Sequence, residues 1–205
     1  MTEQRTCHWQ NVYSTKADDG VSWFEQSPAL SLELIAQCGI PGASVIDVGG
    51  GASRLVDALI ANGHRHVAVL DLSANALDIA RKRLGSAADG VAWIIGDVTE
   101  WRPSHSYDIW HDRAALHFLN TAEEQAAYAR AVHATLMSGG FAIIGTFAPD
   151  GPERCSGLPV TRHDTASVGR ILGEDFAVVE ARNHDHRTPG GAVQKFQFNR
   201  YRKRA

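Results

Sequence analysis

Three consecutive glycines, Gly49, Gly50 and Gly51, stand in the stretch VIDVGGGASRL, after a short apolar run and before a segment with helical periodicity. Glycine allows the backbone amides of such a turn, and the start of the helix behind it, to approach an anionic group of a ligand closely. Asp47 lies just before the turn. We therefore predict that Asp47 and the three glycines contribute to a ligand site at the end of a strand.

Two further acids end the next two apolar runs. Asp71 follows Gly51 by twenty residues and ends the run HVAVLD. An acid at this distance after a glycine turn typically accepts hydrogen bonds from ribose hydroxyls. Asp97 ends IIGD, and its carboxylate could accept a hydrogen bond from an adenine amino group. The glycine turn and the two acids together indicate a ligand that contains adenosine.

The elements that must position these residues are strands that alternate with helices. Ser73 and Gly85 bound one amphipathic helix, and a capping box of Thr121 and Glu124 begins another. The pattern predicts an α/β fold, a Rossmann-like, doubly wound, seven-stranded sheet that is mostly parallel and has an antiparallel C-terminal strand. The predicted strands are ASVIDV, HVAVLDL, VAWIIGD, YDIW, GGFAIIGTFA, FAVVEAR and AVQKFQFNRY.

The motifs VIDVGGGAS, VLDLS, IIGDVTEW, YDIWHDRAALHFL and LMSGGFAIIGTF, in this order, resemble the class I S-adenosylmethionine-dependent methyltransferases over roughly residues 9–200. The resemblance implies S-adenosylmethionine as cofactor and S-adenosylhomocysteine as product. Ser53 stands where that family often has another glycine, and its small side chain leaves the resemblance largely intact. The resemblance assigns the methionine portion to Gly49 and Gly51, the ribose to Asp71 and Leu72, and the adenine to Asp97 and Val98.

A narrower resemblance concerns the methyl acceptor. VSWFEQSPALSLELI, WHDRAALHFL and DGPERCSGLPVTRH look like a small bacterial branch similar to the eukaryotic lysine methyltransferases of elongation factor 1A and of citrate synthase. This resemblance implies an amine acceptor such as a protein lysine. A small-molecule O-, N- or S-methyltransferase is the alternative, since the chain could also enclose a compact substrate.

The loop after the fourth strand, WHDRAALHF, is where the family places residues near the methyl group, and the resemblance therefore makes His111, Asp112 and Arg113 the catalytic candidates. His111 could act as a base or pack on the adenine side of the cofactor. Asp112 could orient Arg113 or an incoming amine.

We divide the chain into an N-terminal arm, residues 1–26, and a methyltransferase domain, residues 27–205. The arm is rich in aromatic residues, among them Tyr13 and Trp23. Aromatic rings could form a lid that excludes water and contacts the sulfonium through cation–π attraction, so both residues are cofactor-binding candidates. The alternative is an extra helix that packs its rings on the edge of the sheet.

Composition limits the other function classes. The 205 residues carry a net charge of −3 and have a pI near 6.3, which gives no general attraction to nucleic acid. The start lacks the apolar segment of a signal peptide, no run is long enough to cross a membrane, and the three cysteines form no CxxC pair. We expect a cytoplasmic protein without a membrane partner. Its partner is a methyl acceptor, and the oligomeric state stays open.

Two remaining features concern rival functions. A dinucleotide-binding oxidoreductase would need a glycine where Arg54 stands, which disfavours NAD. A non-catalytic module that binds an adenosyl group is a further alternative. The HDH stretch, residues 184–186, could bind a metal, but the sequence shows no further ligand near it and we predict no metal site.

Overall fold

A computed structural model describes residues 2–15 and 17–205 as an α/β fold built on one seven-stranded sheet. The α-helices are α1 (Thr2–Thr15), α2 (Ala29–Ala36), α3 (Leu55–Ala61), α4 (Ala74–Leu84), α5 (Ala122–Thr135) and α6 (Thr165–Leu172). The strands are β1 (Val45–Val48), β2 (Val67–Asp71), β3 (Val91–Ile95), β4 (Tyr107–Arg113), β5 (Leu136–Phe147), β6 (Arg154–Cys155), β7 (Leu158–Pro159), β8 (Phe176–Arg187) and β9 (Val193–Lys203). Short 3₁₀ helices span Asp18–Gly20, Gly85–Gly90 and Leu116–Phe118.

The strand order in the sheet is β3-β2-β1-β4-β5-β9-β8. β9 runs antiparallel to both of its neighbours, while β1 to β5 run parallel to one another. The predicted seven-stranded, mostly parallel sheet with an antiparallel C-terminal strand is therefore confirmed. The order reverses between β1 and β4, and in open α/β sheets ligands bind beyond the carboxyl ends of the strands at such a reversal.

The central strands carry buried apolar residues on both faces because helices cover both faces of the sheet. In β1, Val45 belongs to the core cluster that includes Leu55 and Leu77 of α3 and α4, whereas its neighbour Ile46 belongs to the cluster that includes Tyr128 and Val168 of α5 and α6. Successive side chains of a strand point to opposite faces, so such a strand does not alternate between apolar and polar residues.

The helix caps follow the sequence signals closely. The Ser73 hydroxyl accepts a hydrogen bond from the Ala76 amide at 3.2 Å, and Thr121 with Glu124 forms the predicted capping box of α5. Residues 2–15 of the arm form helix α1, and a helix is the alternative that the sequence analysis set beside a lid. None of the described helices combines the length and the apolar character that a membrane crossing requires.

Two glycines give a matched test of the packing. Gly145 of β5 lies opposite Phe198 of β9, and a Cβ added there would lie 2.6 Å from the Phe198 ring. A Cβ at Gly169 in α6 would lie 3.7 Å from Tyr201, which is ordinary contact. We expect Gly145→Ala to lower the free energy of unfolding by about 1–3 kcal/mol through overpacking. Gly169→Ala should raise it by about 0.5–1 kcal/mol, because alanine favours a helix.

Urea unfolding of both variants measures the difference. Equal effects of the two substitutions would show that β5 and β9 are less tightly packed than the register implies.

Candidate active site

A cavity, which we call the main cavity, lies at the carboxyl ends of β1 to β4. This is the predicted position for a ligand. Its wall includes Arg113 and most of the predicted cofactor-binding residues, namely Tyr13, Trp23, Gly49, Asp71, Leu72, Asp97 and Val98.

A second cavity adjoins it on the side of the glycine turn. Asp47, Gly50 and His111 line this glycine-side cavity, and Tyr13, Trp23, Gly49 and Arg113 line both. A ligand that occupies both cavities crosses the glycine turn.

Neighbouring residues of the protein leave no room for side chains at the three glycines, whether or not a ligand is bound. Gly49 and Gly51 have φ values of +68° and +48°, in the left-handed region that favours glycine. A Cβ would lie 2.8 Å from the Cβ of Ala115 at Gly49 and 2.9 Å from the Tyr13 hydroxyl at Gly51, and at Gly50 it would overlap the Asp47 carboxylate. The turn is therefore enclosed by neighbouring residues as well as open to a ligand.

Asp71 offers a partly buried carboxylate at the end of β2. One oxygen accepts a hydrogen bond from the Ser73 amide at 2.7 Å. Burial raises the pKa of Asp71 to about 7 in spite of that bond, and the negative charge of Asp47 adds to the rise. Ribose hydroxyls that donate to this carboxylate would replace lost hydration and favour its ionised form, so the site fits the ribose of the cofactor.

Asp97 is shared between its own turn and the arm. Its Oδ1 accepts from the Thr99 amide and hydroxyl at 2.9 and 2.7 Å, and its Oδ2 lies 3.2 Å from the Arg5 guanidinium. Arg5 also pairs with Glu124 at 2.9 Å. An adenine amino group at Asp97 would have to share Oδ2 with Arg5.

His111 is buried in a chain of polar contacts. Its Nδ1 lies 2.7 Å from Asp47 Oδ1 and its Nε2 lies 2.9 Å from the Ser31 hydroxyl, so both ring nitrogens have partners. The ring lines the glycine-side cavity and is separate from the Asp97 end. This geometry favours a positioning role for His111, in which it holds Asp47 beneath the glycine turn, over the roles as base or adenine contact.

Asp112 faces α5 and has a complete set of donors. Its carboxylate, 0% exposed, accepts from the Tyr128 hydroxyl at 2.6 Å and from the amides of Ala115 and Leu116 at 2.7 and 3.0 Å. Burial raises the pKa of Asp112 to about 6 despite these donors. These bonds hold the loop whose residue Ala114, with φ of +77°, lines the main cavity. Asp112 thus shapes the cavity, where the sequence analysis placed it beside the acceptor or Arg113.

Arg113 connects the arm to the sheet. Its guanidinium donates to the Trp23 carbonyl at 2.9 Å, lies 3.2 Å from Glu25 Oε1, and sits 4.9 Å from the centre of the Phe196 ring. Burial lowers the pKa of Arg113, and the Glu25 carboxylate opposes this effect. Of the three catalytic candidates, Arg113 is the one in the wall of the main cavity.

Four rings, which we call the aromatic cover, close the main cavity: Trp9, Tyr13, Trp23 and Phe118. Trp9 meets Trp23 and Phe118 edge to face at 5.5 and 5.1 Å between ring centres, and the Trp23 indole N–H donates to the Tyr13 hydroxyl at 3.2 Å. The arm thus combines both alternatives of the sequence analysis, because it is a helix and its rings cover the site.

Sequence reasoning missed part of the wall. Arg5 and Trp9 were not among the site candidates, although with the candidate Tyr13 they recur every four residues and so share one face of α1, a signal that predicts the helix and its buried stripe. Gln194 and Phe196 reach the cavity only because β9 pairs with β5, and no local motif marks them. Gln194 Oε1 is buried without a hydrogen-bond partner among the described residues.

Comparison with known proteins agrees with this geometry. Residues 45–140 match the family model described as a methyltransferase domain. No curated protein sequence matches the chain.

Solved structures share the fold over nearly the whole chain. The 1,6-didemethyltoxoflavin-N1-methyltransferase of Burkholderia thailandensis, solved with 1,6-didemethyltoxoflavin and S-adenosylhomocysteine, is 21% identical, with a TM-score of 0.75 and coverage of 100% of this chain and 91% of that one. The N-methyltransferase NodS of Bradyrhizobium japonicum, in complex with S-adenosylhomocysteine, is 16% identical, with a TM-score of 0.71 and coverage of 97% and 98%. A methyltransferase from Anabaena variabilis is 13% identical, with a TM-score of 0.77 and coverage of 99% and 95%.

The methyltransferase domain contains the glycine turn and both acids of the adenosine end. Residues 45–140 therefore form a methyltransferase domain, and the chain shares its class I fold with structures that were solved with S-adenosylhomocysteine.

The raised pKa of Asp71 predicts a pH-dependent affinity. Because the carboxylate accepts from ribose in its ionised form, the affinity for S-adenosylhomocysteine should fall about tenfold from about pH 8 to about pH 6, as Asp71 takes up a proton near pH 7. Titration calorimetry measures this. Asp71→Asn should bind more weakly with an affinity that is nearly flat over the same range, and a wild-type affinity that is equally flat would contradict the role.

Asp112→Ala tests whether this carboxylate is structural. Removal leaves the Tyr128 hydroxyl and two amides without an acceptor, so we expect the free energy of unfolding to fall by about 3 kcal/mol. Tyr128→Phe removes one donor to Asp112 and the acceptor of the Trp110 indole N–H, and it should cost about 1–2 kcal/mol in the same urea titration. If Asp112→Ala keeps its stability but loses turnover, Asp112 has the role of orienting the acceptor and not a structural one.

Proposed function

We propose that this enzyme methylates a compact, largely apolar small molecule, the alternative that the sequence analysis set beside a protein lysine. The observation that carries the proposal is the aromatic lining of the main cavity away from Asp71 and Asp97. Asp71 and Asp97 mark the adenosine end, which leaves the opposite wall for the acceptor. That wall consists of Arg113, Phe118, Cys155, Gln194 and Phe196 under the aromatic cover.

The charges at the acceptor end disfavour lysine. A lysine side chain arrives as an ammonium ion and must lose its proton before it can attack a methyl group. Arg113 is the charged residue at this end, and it would repel an ammonium. Among the described residues of the main cavity wall, the carboxylates are Asp71 and Asp97, both at the adenosine end, and histidine is absent. A proton acceptor for lysine is therefore missing where it would be needed.

The wall suits a flat acceptor with one polar group. Phe118, Phe196 and the cover provide aromatic faces, and the unpartnered Gln194 oxygen could accept a hydrogen bond from an N–H or O–H of the acceptor. Burial raises the pKa of the Cys155 thiol to about 11, so it stays protonated near neutral pH and serves as part of the wall. The named small-molecule ligand of the Burkholderia enzyme, whose fold this chain shares, supports the same acceptor class.

The chemistry then depends on positioning and on the exclusion of water. S-adenosylmethionine supplies a methyl group on a sulfonium, whose charge disperses as the transfer proceeds. The cover keeps water out and offers aromatic faces to a cation, which favours that transfer. In this proposal the arm, residues 1–26, is a lid that opens for exchange of ligands over the domain formed by residues 27–205.

The acceptor class can be tested without knowing the acceptor. The purified enzyme is incubated with S-adenosylmethionine that carries a labelled methyl group, together with either the small-molecule fraction or the protein fraction of a cell lysate. We expect label to appear in the small-molecule fraction. The Asp71→Asn variant, impaired in cofactor binding, should label neither fraction and is the matched control.

Label that enters the protein fraction and is recovered as methyl-lysine after hydrolysis would overturn the proposal. Such a result would favour the lysine acceptor implied by the narrower resemblance.

A further inference from the structure

We propose that Glu25, His184 and His186 form a binding site for a divalent transition-metal ion of the zinc type, which fastens the arm to β8. Glu25 comes from the segment between α1 and α2, and the two histidines come from the far end of the chain. The sequence analysis predicted no metal because it found no ligand near the HDH stretch. The fold supplies one, since Glu25 reaches the two imidazoles.

The three side chains converge on one point. His184 and His186 are two residues apart on β8 and therefore point to the same face of the strand. Glu25 Oε1 lies 3.6 Å from His184 Nε2 and 3.5 Å from His186 Nδ1. One candidate ligand atom from each residue lies within 4.8 Å of the other two.

The distances suit a shared ion better than direct hydrogen bonds. Protein N–H···O hydrogen bonds span about 2.7–3.2 Å between heavy atoms, so the contacts at 3.5 and 3.6 Å are too long for good ones. Zinc binds imidazole nitrogen and carboxylate oxygen at about 2.0–2.2 Å, which places tetrahedral ligand atoms roughly 3.3–3.5 Å apart. A small inward movement of the side chains would complete the geometry.

The partner of His186 fixes which nitrogen faces Glu25. His186 Nε2 lies 2.8 Å from the Ser22 carbonyl oxygen, which can only accept, so Nε2 carries a proton. In the neutral ring, Nδ1 then directs a lone pair at the Glu25 carboxylate, and two acceptors face each other. A metal ion between them removes this conflict, and a ring N–H donated to a backbone carbonyl is the usual support of a metal-bound histidine.

The donor set selects the ion. Two imidazoles and one carboxylate match zinc and its neighbours among the transition metals, whereas calcium and magnesium prefer oxygen ligands. The Arg113 guanidinium lies 3.2 Å from Glu25, and its positive charge lowers the affinity of the three-residue site for a cation. The side chain of His184 is 33% exposed, so a water molecule from solvent could complete the coordination.

The location of the three ligands indicates a structural role for the ion. Ser22 and Glu25 flank Trp23, whose ring belongs to the aromatic cover and whose carbonyl accepts from Arg113. An ion held by Glu25 and the two histidines would fix this segment against β8 and so fix one side of the cover. The inference concerns residues outside the wall of the main cavity and does not rest on the acceptor class.

Zinc binding by the full chain, without an affinity tag, tests the proposal. Zinc is titrated in competition with a chromophoric chelator, and cobalt is added separately because its visible absorption reports tetrahedral coordination. We expect one high-affinity zinc ion per chain, a tetrahedral cobalt spectrum and a higher melting temperature with zinc. His184→Gln and Glu25→Gln should each weaken zinc binding by roughly tenfold or more, since each removes a direct ligand.

His66→Gln is the matched control, because His66 is an exposed histidine far from the cluster in the sheet, at the start of β2. It should bind zinc like the wild type. Absence of zinc binding by the wild type, or equal binding by His184→Gln and His66→Gln, would overturn the proposal and leave the cluster as an ion pair of Glu25 with protonated histidines. Because His184 is partly exposed, His184→Gln should fold like the wild type. The comparison of His184→Gln with His66→Gln therefore decides the question even if Glu25→Gln unfolds.

Discussion

Buried or partly buried carboxylates at the ends of parallel strands organise this site. Asp47, Asp71, Asp97 and Asp112 belong to, or directly follow, β1 to β4, and a carboxylate removed from water must find donors or give up its charge. The donors that each one has found define its role. Asp112 has three and holds a loop, Asp47 is held by His111, Asp97 is shared with Arg5, and Asp71 keeps capacity for a ligand.

The arm depends on the same network. Arg5 reaches Asp97 from α1, and Arg113 binds both the backbone of Trp23 and the side chain of Glu25, so the cover is attached at the adenosine end and at the acceptor end. Rings that were held by packing contacts alone could shift relative to the cavity. Directional contacts at both ends restrain such movement, which suits a reaction that needs a dry pocket and a fixed line of approach.

The sequence predicted the features that local pattern determines. The sheet, the caps of α4 and α5 and the glycine turn all follow from short motifs, because strand burial, capping and a glycine turn are decided within a few residues. The roles of His111 and Asp112 could not be read in this way. Each is decided by a partner from a distant helix, Ser31 of α2 or Tyr128 of α5. The pairing of β9 with β5, which brings Gln194 and Phe196 to the cavity, is equally non-local.

The same distinction explains why motif resemblance and geometry disagree about the acceptor. Motifs shared by many methyltransferases concern the cofactor, which is the same molecule in all of them. The acceptor instead meets side chains from α1, the loop after β4 and β9, whose types are free to change without disturbing the glycine turn or the acids. In the described part of this chain those side chains include aromatic rings and the Arg113 guanidinium but no carboxylate, and burial lowers the pKa of Arg113 without removing its charge. A cationic acceptor would therefore have to displace Arg113 from Glu25, whereas a neutral flat acceptor leaves that ion pair intact.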